Sequence, residues 1–154
     1  MMLQHPLIST ARLLIDDAVL EVVMGNRQLK STDAESGGIL LGLRRDDHLH
    51  VTGLTTPYPD DKRSRTSFQR KDKGHQARAL AGWLNSGGVV DYIGEWHSHP
   101  ERHPSPSPID SREWNSICLF QRKPMVFLIA GTLAQLWLGV GHNRDIRQAL
   151  PLLA

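Results

Sequence analysis

Val89-Val90-Asp91-Tyr92-Ile93-Gly94-Glu95-Trp96-His97-Ser98-His99-Pro100 is the stretch on which the fold turns. Its first half is rich in β-branched and aromatic residues and reads as a strand running toward a site. Side chains alternate faces on an extended backbone, so His97 and His99 project to one side, roughly 6.6 Å apart at two strand steps. That spacing lets two imidazoles reach one metal ion, and it turns Trp96 away from them into the core. The following loop is stiffened by Pro100, Pro104, Pro106 and Pro108. It ends in a helix-start signal: Ser107 as N-cap, Pro108 at the first helical position and Asp110 in the first turn. A carboxylate placed there can swing back toward the histidines. Two imidazoles and one carboxylate leave a fourth position for water, the pattern of a catalytic zinc rather than a structural one.

Working outward, the next stretch upstream is Glu35 to Leu43, whose apolar run after two glycines reads as a central buried strand that Glu35 opens. Arg44-Arg45-Asp46-Asp47 turns it into a partner strand, about residues 48–56, giving an antiparallel hairpin. Before that pair, residues 12–15 form a short strand. Asp16 or Asp17 then caps a helix whose apolar stripe is Val19, Leu20, Val22, Val23, Met24 and Leu29. Residues 1–10 read as a loose arm or a short edge segment. Between hairpin and site, residues 57–73 are a loop dense in charge: a solvated surface loop, or a rim that contacts a partner. Residues 74–86 form a helix with Ala77, Leu80, Ala81 and Leu84 at helical spacing, stopped by Ser86-Gly87-Gly88. Downstream, a helix over 108–120 is followed by a closing hairpin, 125–130 and 133–140, around Gly131-Thr132. The tail from Gly141 carries a weak helical pattern that Pro151 breaks.

This order predicts one α/β domain over residues 1–154, with a core of about 12–140 and a mixed, largely antiparallel sheet flanked by helices. Parallel Rossmann packing is disfavoured, because the glycine-rich phosphate fingerprint is missing and several links look like hairpins. A net charge of +2 is too small to argue for nucleic acid. One cysteine, Cys118, excludes an intramolecular disulfide and any multi-cysteine zinc site, and its apolar neighbours mark it as a buried thiol. The N-terminal residues lack a charged n-region and a long apolar run, and nothing approaches a membrane span. No signal peptide and no membrane partner are expected, and the cytoplasm is the expected location.

Glu35, His97-Ser98-His99, Ser107 and Asp110, in that order and with seven residues between His99 and Ser107, resemble the JAMM signature of the MPN-type metalloproteases. The resemblance implies a single MPN domain with cytidine-deaminase-like layering. It implies one zinc ion held by His97, His99 and Asp110. It makes Glu35 the general base for the attacking water and Ser107 the residue that helps hold the oxyanion. The residues around the histidines are most similar to compact prokaryotic members, some of them encoded beside ubiquitin-transfer-like enzymes in antiphage operons. The implied activity is an isopeptidase or peptidase cutting after the glycine-ending tail of a ubiquitin-like protein or a conjugated protein. Processing of a sulfur-carrier or ubiquitin-like precursor is the nearest alternative. A silent MPN scaffold is another, although silent members typically lack ligands. The RadC-type branch tends to His-Asn-His-Pro-Ser-Gly, whereas this chain has His-Ser-His-Pro-Glu-Arg. Glu95 shares the ligand face and either orients a histidine or lines the sheet. His48, His50, His75, His103 and His142 are expected at the surface.

Overall fold

A computed structural model of the chain describes residues 1–152. The site strand, β7 (Asp91–Ser98), lies in mid-sheet between β3 (Gly37–Arg45) and β8 (Met125–Ala130), antiparallel to the first and parallel to the second. The rest of the sheet extends from this trio. On the β3 side come β4 (His48–Leu54), β2 (Arg12–Ile15) and β1 (Met2–Gln4). On the β8 side come β9 (Leu136–His142) and β10 (Asp145–Gln148). Among the described residues only β2–β4 and β7–β8 are parallel, so the sheet is mixed and largely antiparallel, as the turn signals predict.

A bulge in β7 sets up the site. Leu40 pairs with Gly94 but Leu41 pairs with Tyr92, leaving Ile93 as the extra residue. The step shifts the alternation, so that Tyr92 and Glu95 share a side and the tyrosine hydroxyl donates to Glu95 Oε1 at 2.8 Å.

The two faces of β8 divide the core. Val126, Leu128 and Ala130 join Leu40, Val51, Trp96 and the buried side of helix α1 (Asp17–Gly25). Met125, Phe127 and Ile129 join Trp114, Cys118 and Trp137, beneath helix α3 (Pro108–Gln121). Trp96 turns inward as the alternation predicts, and its indole N–H donates to Thr55 O at 2.8 Å. Cys118 is buried and free, with its thiol pKa pushed up to about 11 by burial.

Three expectations need correction, and one open reading is decided. Of the two readings of the first residues, the short edge segment holds and the loose arm does not: β1 pairs with β2 at the end of the sheet, and Gln4 N donates to Leu150 O at 3.0 Å. The tail is not helical, because residues 145–148 pair antiparallel with β9 and Pro151 bridges Leu3. These contacts draw the sheet's two edges together, giving edge strands partners that local helical spacing could not reveal. The charged segment holds a separate small hairpin, β5 (Lys62–Ser64) with β6 (Ser67–Gln69). Finally, helix α2 (Gly74–Asn85) does not bury its apolar stripe: Leu80 and Leu84 stay 57% and 61% exposed. In α1 the stripe narrows to Val19 and Val23, with Leu29 beyond the helix exposed.

His75, expected at the surface, is instead the fully buried anchor of α2. Its Nδ1 meets Thr55 Oγ1 at 2.5 Å and its Nε2 meets Asp61 Oδ2 at 2.6 Å. Asp61 also accepts from the backbone N–H groups of Tyr58, Lys71 and Asp72, so one carboxylate gathers both ends of the charged segment. Burial works against its charge, but these N–H bonds and His75 outweigh it and hold the carboxyl below its ordinary pKa. His75→Ala is expected to lower unfolding free energy by about 2–3 kcal/mol, read as a fall in the urea midpoint, because it leaves buried partners unpaired.

Candidate metal centre

The ladder brings the two histidines to the floor of a groove. His97 closes β7 one residue before its end, opposite Gly37, and His99 follows the strand with its N–H donating to Ala130 O at 2.9 Å. The loop beyond folds back over the end of β8. Thr132 N donates to Glu101 O at 2.9 Å, and the loop passes so close to Gly131 that a Cβ there would sit 2.8 Å from Glu101 O and from Pro104 Cδ. This return path carries α3's first turn to the histidines.

Ser107 caps α3 as expected, in a reciprocal box with Asp110. Asp110 N donates to Ser107 Oγ at 3.1 Å, and Ser107 N donates to Asp110 Oδ2 at 2.8 Å. The serine hydroxyl accepts in this arrangement, which leaves its proton available to the groove. Asp110 also faces both imidazoles: Oδ1 lies 3.3 Å from His97 Nε2 and Oδ2 lies 3.1 Å from His99 Nε2. The two Nε2 atoms are 2.9 Å apart. For a tetrahedral ion with ligand distances of about 2.0–2.1 Å the edges would be about 3.3–3.4 Å, so the two nitrogens and the two carboxylate oxygens that face them stand close to the separations such an ion requires. His97, His99 and Asp110 are the one such group of three among the described residues. The donor set, two imidazoles and one carboxylate, suits zinc and leaves a position open.

The cluster's own acidic and imidazole groups set its electrostatics. Burial opposes ionisation of Asp110, but bonds to His97 and His99 overcome it and hold the carboxyl far below its ordinary pKa. Burial likewise disfavours a charged His99, yet Asp110, Glu35 and Glu101 together raise its pKa. Glu101 Oε1 meets His99 Nδ1 at 2.7 Å, which directs His99 Nε2 at Asp110. Sequence reasoning missed that role; the signal available was only a carboxylate two residues after a histidine. Glu95, by contrast, orients no histidine. It is gripped by Arg70 at 2.6 Å and by Tyr92.

Glu35, 62 residues upstream of His97, lines the same groove as His97, His99, Ser107 and Asp110, a cavity of about 420 Å³. Its carboxyl is pushed up to about 7, chiefly by burial, with Asp110 and Glu101 adding and His99 opposing. Its backbone is held on both sides: Glu35 N donates to Ser64 O at 2.8 Å, and Arg63 Nε donates to Glu35 O at 2.7 Å. The small hairpin thus forms one wall. From that wall Phe68 lies against Gly37, where a Cβ would come within 2.5 Å of its ring. A second cavity of about 430 Å³ continues past His97 between Phe68, Arg70, Glu95, Trp114 and Ile117. Phe68, an apolar side chain in a run of charge, was not singled out by the sequence reading. Beneath the histidines Trp114 lies 5.9 Å from the His97 ring and stacks on Phe127 and Trp137.

A family model described as prokaryotic homologs of the JAB domain matches residues 18–147. Curated relatives carry the name CD-NTase/cGAS isopeptidase. One from Escherichia coli (strain TW11681) is 40% identical over 131 residues, covering 83% of each chain. One from Pseudomonas aeruginosa is 40% identical over 116 residues, 74% of this chain and 73% of the relative. One from Vibrio cholerae is 37% identical over 128 residues, 78% and 81% of the two. Among solved structures, a protein of Desulfitobacterium hafniense aligns over 92% of both chains with a TM-score of 0.63 at 21% identity. A Salinibacter ruber protein aligns over 90% of both, with a TM-score of 0.54 at 18% identity. These two likenesses concern the fold alone.

Proposed function

Because the chain belongs to the family of prokaryotic JAB-domain homologs, a hydrolase family by its isopeptidase-named relatives, we propose that it is a zinc-dependent isopeptidase that frees a conjugated protein. Its substrate is a protein joined through a ubiquitin-like, glycine-ending tail, of the CD-NTase class named by the relatives, in bacterial antiphage defence. The observation that carries this reading is the meeting of Glu35 with the three-donor cluster in one groove.

His97, His99 and Asp110 would hold the ion, and Glu101 fixes the face that His99 offers. Zinc, when bound, supplies a Lewis acid and makes water a better nucleophile near neutral pH. Glu35 takes one proton from the attacking water as oxygen bonds to the scissile carbonyl carbon. It then delivers that proton to the leaving amine as the carbon–nitrogen bond breaks. Ser107, whose Oγ already accepts from Asp110 N, turns its proton toward the oxygen on which charge develops. The apolar wall of Phe68 limits water around the bond.

The test is to load the chain with zinc, offer fusions of candidate ubiquitin-like tails from neighbouring genes, and read the cut by intact mass. Cleavage after a terminal glycine is expected. Failure to bind zinc would end the reading.

Ser107→Ala should lose about 10²–10³ in kcat if the hydroxyl serves the oxyanion, and about 1 kcal/mol of stability through the lost cap. Ser107→Gly separates the two roles, since glycine caps nearly as well but donates nothing. It should fall as far in kcat while unfolding close to the parent's midpoint.

A further inference from the structure

Gln28 follows α1, seven residues before Glu35 and far in sequence from the histidines, and its side chain is buried at 3% exposure. Its Nε2 donates to Arg65 O at 2.8 Å and to Asp33 O at 3.1 Å. Its Oε1 accepts from Ser98 Oγ at 2.9 Å. Ser98 Oγ accepts in turn from Ser36 N at 2.9 Å, and Ser98 N donates to Ser36 O at 2.8 Å. Only one amide orientation satisfies this chain. Two carbonyls demand donors from Nε2, and the Ser98 hydroxyl, already accepting from Ser36, has its proton left to give.

The position of this network matters more than its bond count. Ser98 is fully buried between the two histidines. Ser36 follows Glu35. The β3–β7 ladder begins only at the Gly37–His97 pair, so Glu35 lies beyond it. What ties the glutamate's segment to the histidine strand is the Ser36–Ser98 pair, and Gln28 sets the direction of the Ser98 hydroxyl. The same amide holds the turn of the small hairpin, whose Ser64 and Arg63 grip the Glu35 backbone. One carboxamide therefore spans three segments that meet at the groove.

We propose that Gln28 is a positioning residue: acting through Ser98 and the hairpin, it fixes Glu35 against the His97–His99 pair. This rests on the reading of Glu35 as the base. Catalytic groups out of place by about 1 Å can lose about 10²-fold in rate, and a fully satisfied buried network is a means of preventing that drift.

The experiment compares Gln28→Met, Ser98→Ala and their combination with the parent and with Val19→Ala, a core change beneath α1 that removes none of the network's hydrogen bonds. Amide hydrogen exchange of metal-free protein gives a readout independent of activity. In Gln28→Met and Ser98→Ala the amides of Glu35, Ser36 and Ser98 should exchange about tenfold faster or more, while those of β8 and β9 keep their protection. In zinc-loaded protein kcat should fall about 10- to 100-fold with KM and zinc content unchanged, and the double variant should lose no more than the worse single. Val19→Ala should lose comparable thermal stability yet keep kcat. Ser98→Ala removes a single hydroxyl, so it serves if Gln28→Met does not fold. Unchanged exchange at those three amides, or faster exchange with kcat intact, would overturn the proposal. If the parent itself cleaves nothing, the isopeptidase reading falls, and the exchange result alone decides whether Gln28 holds the segment.

Discussion

Glu35→Gln is expected to retain one zinc per chain and to cleave about 10²–10⁴-fold more slowly, the range that general acid–base catalysis contributes. The amide keeps the shape of the side chain but can neither take nor return a proton. The same change should stabilise metal-free protein, with a sign that follows from the shift. Glu35 has its carboxyl raised from about 4.5 to about 7 by burial, so the folded state binds more protons than the unfolded one across that window. Stability is therefore full below the unfolded value and drains away as pH climbs to 7 and beyond. At pH 8 the buried carboxylate is a burden on the fold that glutamine lifts. The gain should be on the order of 2 kcal/mol there, and close to nothing at pH 4. Thermal unfolding of chelator-treated protein at the two pH values measures it. A variant slower in turnover and less stable at pH 8 would point to a structural role for Glu35 instead.

Asp110→Ala should have the other large effect, abolishing zinc retention through gel filtration. Asp110 is at once a donor to the cluster and the third residue of the α3 cap. Alanine removes both functions and leaves two imidazole nitrogens confronting each other at 2.9 Å. Zinc affinity should fall by more than the roughly 10–100-fold that follows loss of an outer partner such as Glu101. Stability should fall by about 1 kcal/mol from the cap. Asp110→Asn separates these, because its side-chain oxygen can still accept from Ser107 N. It should unfold near the parent's midpoint and still bind zinc poorly. Metal analysis beside a thermal melt reads both.

The parts of this molecule that were legible in the sequence are those governed by neighbours in the chain. Alternation placed His97 and His99 together and Trp96 inside. A serine, a proline and an aspartate in the right order announced the start of α3, and an apolar run after two glycines announced β3. What escaped was decided by distant partners. His75 looks like any polar residue at a helix start, and only Asp61 and Thr55 make it a core residue. Strands β5 and β6, three residues each, are too short for a period to emerge. The tail from Asp145 takes its extended form from β9, not from its own spacing. Gln28 gives little local hint, because beside nearby Asp33 its partners come from residues 65 and 98. The candidate ligands fell within a short window, whereas Gln28 and the hairpin that hold the Glu35 segment did not.

The indole stack under the cluster has a use outside chemistry. Trp114 is wedged between the His97 ring and the Trp137 ring, at 5.9 and 5.4 Å. It would serve as a built-in optical reporter: an ion on His97 would change the imidazole's charge and with it the quenching of the adjacent indole. Occupancy could then be followed from tryptophan emission in unlabelled protein, without any substrate in hand.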